Sequence, residues 1–167
     1  MKTENKKEFL DILEKYQGIL HKVNLIYFHN DADREDNFQE MVYQLWNSFL
    51  SLKNKESIGS WIYKVAINTS ITKLKKDSRF VYNENFPDTV EEDIETGMER
   101  SEKSKLLLNA ISELNETDKA VMLLYLDGKS YEEISEITGI SKSNVGVKIN
   151  RAKKTLKEKL KFLSDGK

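Results

Sequence analysis

Apolar residues recur at helical spacing through most of this chain and lose that spacing in one stretch past its middle. Phe9, Ile12, Leu13, Tyr16, Ile19, Leu20 and Val23 follow a 3.6-residue period, which predicts a first helix near 5–28. The run HNDADRED at 29–36 breaks the apolar pattern and reads as a loop. A second helix near 34–51 places Phe38, Met41, Val42, Leu45, Trp46 and Phe49 on one face. After the loop SLKNKES, Ser57 or Ser60 is positioned to cap a third helix, which holds Trp61, Ile62, Val65 and Thr69 and runs to Lys76. These faces are wide and aromatic, enough for a core of three or four helices. From Asp77 to about Thr96 the period disappears. Phe80, Val81, Tyr82 and Phe86 are scattered among polar residues around the lone Pro87, as in an exposed linker.

Helicity resumes near Glu99, with Leu106, Leu107, Ala110, Ile111 and Leu114 on one face. Asn115 can cap the next helix, about 116–126, and Asp118 favours its positive N-terminal end. Asp127-Gly128 ends it. Ser130 and Glu133 then form an S-x-x-E capping box. Gly139 falls where a left-handed residue would stop that helix, and Ser141 can cap another two residues later. In the last helix Val145, Ile149, Ala152, Leu156 and Leu160 make one apolar stripe. The other side carries Lys142, Lys148, Arg151, Lys153, Lys154, Lys157, Lys159 and Lys161. A capped helix, a tight turn and a basic second helix suit a DNA major groove. An ordinary helical hairpin with a solvated lysine face has the same pattern. The C-terminal module is expected to be four short helices, the last two forming a helix-turn-helix.

Composition narrows the classes. One Pro, seven Gly and 33% charged residues in 167 predict a helix-rich protein of one domain or two small ones. With no Cys, disulfides, thiolate metal sites and cysteine nucleophiles are excluded. No apolar run approaches the roughly 18 residues of a membrane helix, and the charged start MKTENKKEFLD does not resemble a signal peptide. A cytoplasmic location is expected, without membrane insertion. The net charge of −1 conceals segregation: +2 over 1–76, −6 over 77–104 and +3 over 105–167. An acidic middle between two mildly basic ends fits a linker joining two working domains. His21 and His29 have no metal-ligand spacing, and neither nucleophile-elbow nor phosphate-loop motifs occur. No catalytic residues, cofactor or small-molecule substrate are expected.

Three blocks carry a family resemblance. Asp33-Arg34-Glu35-Asp36-Asn37-Phe38-Gln39-Glu40, continuing to Trp46, resembles the D-A-E-D-L-V-Q-E-x-F-x-x-x-W signature of bacterial sigma factors of the extracytoplasmic-function group. Ser60-Trp61-Ile62-Tyr63-Lys64-Val65-Ala66-Ile67-Asn68-Thr69, running to Leu74-Lys75-Lys76, is similar to that family's W-L-Y-R-I-A-x-N block. Tyr131–Leu156 is similar to its Y-E-E-I-A…G-I-S-x-x-T-V-K-S-R-L-x-R-A-R block. The blocks stand in the family's order and together cover most of residues 9–160.

The resemblance implies an all-α protein of two small helical domains. A region 2-like bundle would span 5–78, an acidic flexible linker 79–103, and a region 4-like helix-turn-helix domain 104–163. Asp36, Gln39 and Glu40 would meet the clamp helices of core RNA polymerase, with Trp46 buried. Lys64, Asn68, Thr72 and Lys75 would face the −10 element and help open it. Toward the −35 element, Gly146, Val147, Asn150 and Arg151 would meet bases, and Lys142, Ser143, Asn144 and Lys148 phosphates. Promoter DNA is thus an expected partner, as is an anti-sigma factor. The chain departs from the pattern at Gly146-Val147, where the family carries K-S or R-S. Gly has nothing to read with, and Val can offer only apolar contact, for instance to a thymine methyl. Direct readout should lean on Asn150 and Arg151. Ser135 replaces the family's Ala. The same residues are open to two rival readings: a stand-alone duplex-binding regulator, and an inactive decoy that sequesters polymerase or a regulator.

Overall fold

The computed structural model describes residues 2–53, 57–80 and 102–165. Among these every regular element is helical: α1 Lys2–Tyr27, α2 Asp31–Phe49, α3 Ile58–Phe80, α4 Glu102–Ser112, α5 Glu116–Leu126, α6 Tyr131–Thr138 and α7 Lys142–Asp165. They form two compact units, one built on α1–α3 and the other on α4–α7. No described helix is long and apolar enough to cross a membrane.

In the first unit the three helices all pack on one another. Leu20, Val23 and Ile26 of α1, Met41 and Leu45 of α2, and Ile62, Tyr63 and Ala66 of α3 are closed to solvent. One end of this core is aromatic. Phe9 lies edge-on to Trp46 at 5.1 Å and tilted on Phe49 at 5.5 Å, and Phe49 meets Trp61 at 6.3 Å between centroids. Both tryptophans are half-buried rather than enclosed. His21 stacks on Phe38 at 5.2 Å, so it is a packed helical histidine.

A polar seam crosses this core. Asn37 Nδ2 donates to Asn24 Oδ1 at 2.8 Å and to Ser70 Oγ at 2.9 Å. Asn24 Nδ2 donates to the Arg34 carbonyl at 3.0 Å, and Ser70 Oγ to the Ala66 carbonyl at 2.8 Å. Asn37 Oδ1 finds no partner among the described residues. Asn37 stands where the family signature has Leu, so a polar tie between three helices replaces an aliphatic contact.

Two boundaries differ from expectation. The acidic run at 29–36 is mostly helix, not loop. Asn30 caps α2, its Oδ1 accepting from the Asp33 N–H at 2.8 Å, and Asp31 and Asp33 face the positive end of the helix dipole. A run without apolar period was a cap sequence. At the other end α3 continues through Asp77 to Phe80, past the expected break at Lys76. A Lys73–Asp77 pair at i,i+4 spans its last turns, 3.6 Å apart. Ser60 lies inside α3, which begins directly after Ser57. Most of the expected linker, 79–103, lies outside the described residues.

The second unit is held around α7, which packs against α4, α5 and α6. At 24 residues α7 is not short, and it carries the unit's apolar spine: Val145, Ile149, Ala152 and Leu156 are buried, Leu160 half-buried. Ile111, Val121, Leu124 and Ile134 complete the closed core. Asn115 caps α5 as expected, accepting from the Asp118 N–H at 2.9 Å. Burial lowers the pKa of the Lys119 ammonium, partly offset by Glu116.

Candidate nucleic-acid interface

The helix-turn-helix has the geometry its residues foretold. Ser130 Oγ accepts from the Glu133 N–H at 3.1 Å, and Glu133 Oε1 accepts from the Ser130 N–H at 3.2 Å. The Ser130 backbone and hydroxyl, in that order, hold the Glu133 carboxyl below its ordinary value. Gly139 sits at φ 79°, a left-handed conformation that suits glycine, and its N–H donates to the Ser135 carbonyl at 2.8 Å. Ser135 does more than fit where Ala would: its hydroxyl donates to the Ile140 carbonyl at 2.5 Å and closes the turn. Ser141 Oγ then accepts from the Asn144 N–H at 3.3 Å and caps α7.

This scaffold holds out the first turns of α7. Lys142, Ser143, Asn144, Val147, Asn150 and Arg151 are all exposed, and Val147 keeps 51% of its surface. Gly146 and Lys148 are the half-buried members of the expected set. The reason at Gly146 is Tyr131: a Cβ added to Gly146 would meet Tyr131 Cε2 at 3.4 Å, an ordinary contact. The tyrosine ring of α6 therefore lies on the strip of α7 that the missing side chain leaves bare. Lys148 is half-buried because its Nζ turns to Asp118 Oδ1, 3.5 Å away, with side chains 21% and 10% exposed. Lys142 Nζ pairs with Glu132 at 3.0 Å in full solvent, a contact of little energetic weight. Lys153 Nζ stands 4.4 Å from the Tyr125 ring centroid, and hydrogen bonding to Tyr125 raises its pKa.

In the first unit the expected residues come from two helices. On α2, Asp36, Gln39 and Glu40 are exposed. On α3, Lys64, Asn68, Thr72 and Lys75 are exposed and share one helical face. No spacing along the chain joins these sets, yet an open groove of about 820 Å³ brings members of both together. Asp36, Gln39, Glu40, Tyr43 and Gln44 form its α2 wall, and Asn68, Thr72, Lys73 and Lys76 stand on the α3 wall. Lys64 and Lys75 lie outside it. One wall is acidic and amide-bearing; the other carries amide, hydroxyl and ammonium groups together with the Asp77 carboxylate, which pairs with Lys73. Among the described residues no cluster of His, Asp or Glu could hold a metal ion.

Two family models match this chain in order: Sigma-70 region 2 over residues 12–80, and Sigma-70, region 4 over 104–156. The chain belongs to the sigma-70 family. Within it, the chain falls in the extracytoplasmic-function group. It is 27% identical over 160 residues to the RNA polymerase sigma factor SigV of Bacillus subtilis, covering 95% of each chain. The extracytoplasmic-function RNA polymerase sigma-E factor of Haemophilus influenzae is also 27% identical, over 95% of this chain and 90% of that one. Among solved structures, the fold is similar to the sigma factor RpoE of Bartonella quintana in complex with the anti-sigma factor NepR. That match has a TM-score of 0.72 and 20% identity, over 93% of this chain and 96% of that one. It is also similar to CnrH in complex with the cytosolic domain of CnrY, with a TM-score of 0.64 and 17% identity over 93% and 89% of the two chains. Members of the sigma-70 family are transcription initiation factors, and both halves of this chain carry the family's regions.

The expectations overlooked several residues of this sigma-70 protein. Tyr131 and Asp118 touch Gly146 and Lys148 from other helices, and no local pattern marks such contacts. Tyr43 joins the groove as well, across from Lys73 and Lys76. For Tyr43 a signal existed: it repeats the Asp36–Gln39–Glu40 face at i+7, i+4 and i+3.

Proposed function

We propose that this chain binds core RNA polymerase through Asp36, Gln39 and Glu40 and directs it to promoters with two DNA contacts. Asn68 and Thr72, flanked by Lys64 and Lys75, face the −10 element and stabilise bases drawn from the stack. Asn150 and Arg151 read base edges in the −35 major groove, Val147 offers a methyl-sized apolar contact, and Lys142, Ser143 and Asn144 meet phosphates. A cytoplasmic location follows from that partner. An anti-sigma factor is a further partner, since RpoE was solved with the anti-sigma factor NepR, and CnrH with the cytosolic domain of CnrY.

The observation that carries this reading is the groove between α2 and α3. Its acidic, amide-bearing α2 wall suits a protein surface, and its α3 wall, where Asn68 and Thr72 stand beside Lys76 and the Lys73–Asp77 pair, suits DNA. A duplex-binding regulator would need only the second unit. In vitro transcription with purified core polymerase and a pool of genomic promoter fragments tests the proposal. Initiation that depends on both core and this chain is expected. Duplex binding without core-dependent transcripts would instead support a stand-alone regulator, and core binding without transcripts a decoy.

A further inference from the structure

α2 buries one face and exposes the other. Asn37, Met41, Leu45 and Phe49 are buried at successive i,i+4 steps. With about 100° per residue, the opposite face is centred on Asp36, with Glu40 about 40° to one side and Gln39 about 60° to the other. Tyr43 falls only about 20° from Asp36, between Gln39 and Glu40. It is 58% exposed, among the most open large apolar residues of the described chain, and it lines the same groove wall. Beside it, Gln44 Nε2 donates to Glu40 Oε1 at 2.9 Å and holds that carboxylate along the helix.

A single exposed apolar residue needs no explanation by itself. An aromatic ring at the centre of a carboxylate-bearing docking face does, because interface energy concentrates at central aromatic anchors ringed by polar groups. The charge of that ring of neighbours selects the occupant. Glu40 lies one helical turn from the ring and Asp36 two turns, about 10 Å along the axis, and a planar guanidinium can stack on an aromatic face while its N–H groups reach the nearer carboxylate. An ammonium would satisfy the carboxylates but would not stack in the same way.

We propose that Tyr43 is the aromatic anchor of the α2 docking face and receives the guanidinium of an arginine on a helix of core RNA polymerase, bridged to Glu40. This rests on the polymerase-binding reading and names the contact at its centre. The full-length chain labelled with a fluorophore, titrated with core polymerase, tests it. Tyr43→Ala should weaken core binding about tenfold or more, whereas Tyr43→Phe should stay within about twofold, since the ring does the work. Thermal unfolding unchanged in both variants would show the effect to be local. If Tyr43→Ala binds within twofold of the parent while Asp36→Ala loses affinity, the anchor is overturned and the docking face stands. Equal losses in Tyr43→Phe and Tyr43→Ala would also overturn it by assigning the contact to the hydroxyl. If Asp36→Ala and Tyr43→Ala both bind normally, the polymerase face itself falls.

Discussion

Lys148 offers a choice between two roles, and its pairing with Asp118 decides between them. Its position along α7 suits a phosphate contact. Its Nζ instead lies 3.5 Å from Asp118 Oδ1, on a carboxylate whose side chain is only 10% exposed. At an effective dielectric near 20, opposite charges at that distance attract by about 5 kcal/mol. Desolvation of both groups removes most of that gain, so the intact pair contributes little net. Breaking it is different, because Asp118 would be left covered and without its cation. Lys148→Ala should therefore destabilise the second unit by about 2 kcal/mol, including the lost packing of the lysine stem. For a module of this size that is a melting shift of roughly 8–16 °C. The assay is hydrogen exchange of the buried Val145 and Ile149 amides in the full chain, which reports opening of that unit alone. Asp118→Ala and the double variant complete a cycle, with an expected coupling of about 1–2 kcal/mol. In parallel, the salt dependence of holoenzyme binding to promoter DNA should keep its slope in Lys148→Ala. A phosphate contact would lower that slope by about one. A slope lowered by one with no coupling to Asp118 would refute the strut.

Other changes follow from the same geometry. Asn37→Leu, which restores the family residue, should cost about 1–3 kcal/mol because Asn24 Oδ1 loses its donor in the core. Adding Asn24→Leu should recover much of that loss, and urea unfolding that shows the two costs simply adding would contradict the seam. Gly139→Ala should destabilise the turn by about 1–2 kcal/mol through φ 79° alone, since nothing lies within 4 Å of the new methyl; an unchanged melting temperature would speak against this. The Glu133 carboxyl is held below its ordinary value of 4.5, so its capping contribution is present above that pH and is lost as pH falls through the lower folded value. The melting difference between the parent and Glu133→Gln should therefore shrink from pH 6 to pH 3; a constant difference would mean that the cap does not titrate. Arg151→Ala should weaken discrimination at one −35 base pair by about 1–3 kcal/mol, measured across single-base promoter variants. Uniform loss over all variants would recast it as a phosphate contact.

The sequence alone determined what local chemistry controls. The Ser130–Glu133 capping box, the left-handed Gly139, the Ser141 cap and the buried stripe of α7 follow from spacing within a few residues, and the structure places each as expected. The Asp31–Asp33 start of α2 was equally local but was hidden, because cap chemistry has no apolar period and resembles a loop. The exposure of Asp36, Asn68, Asn150 and Arg151 was legible too, since each lies opposite a buried stripe.

Tertiary structure decided the rest, because the partners are far apart in sequence. Asn37 reaches Ser70, 33 residues on, and Lys148 reaches Asp118, 30 residues back. No window along the chain would reveal that one asparagine is interior or that one lysine of a basic face is already paired. Nor does spacing show that Tyr131 covers Gly146, or that α2 and α3 bring their separate exposed faces to one groove. Periodicity assigns each residue to a side of its own helix; only packing determines what stands opposite that side, and so whether a charge or ring remains available to a partner.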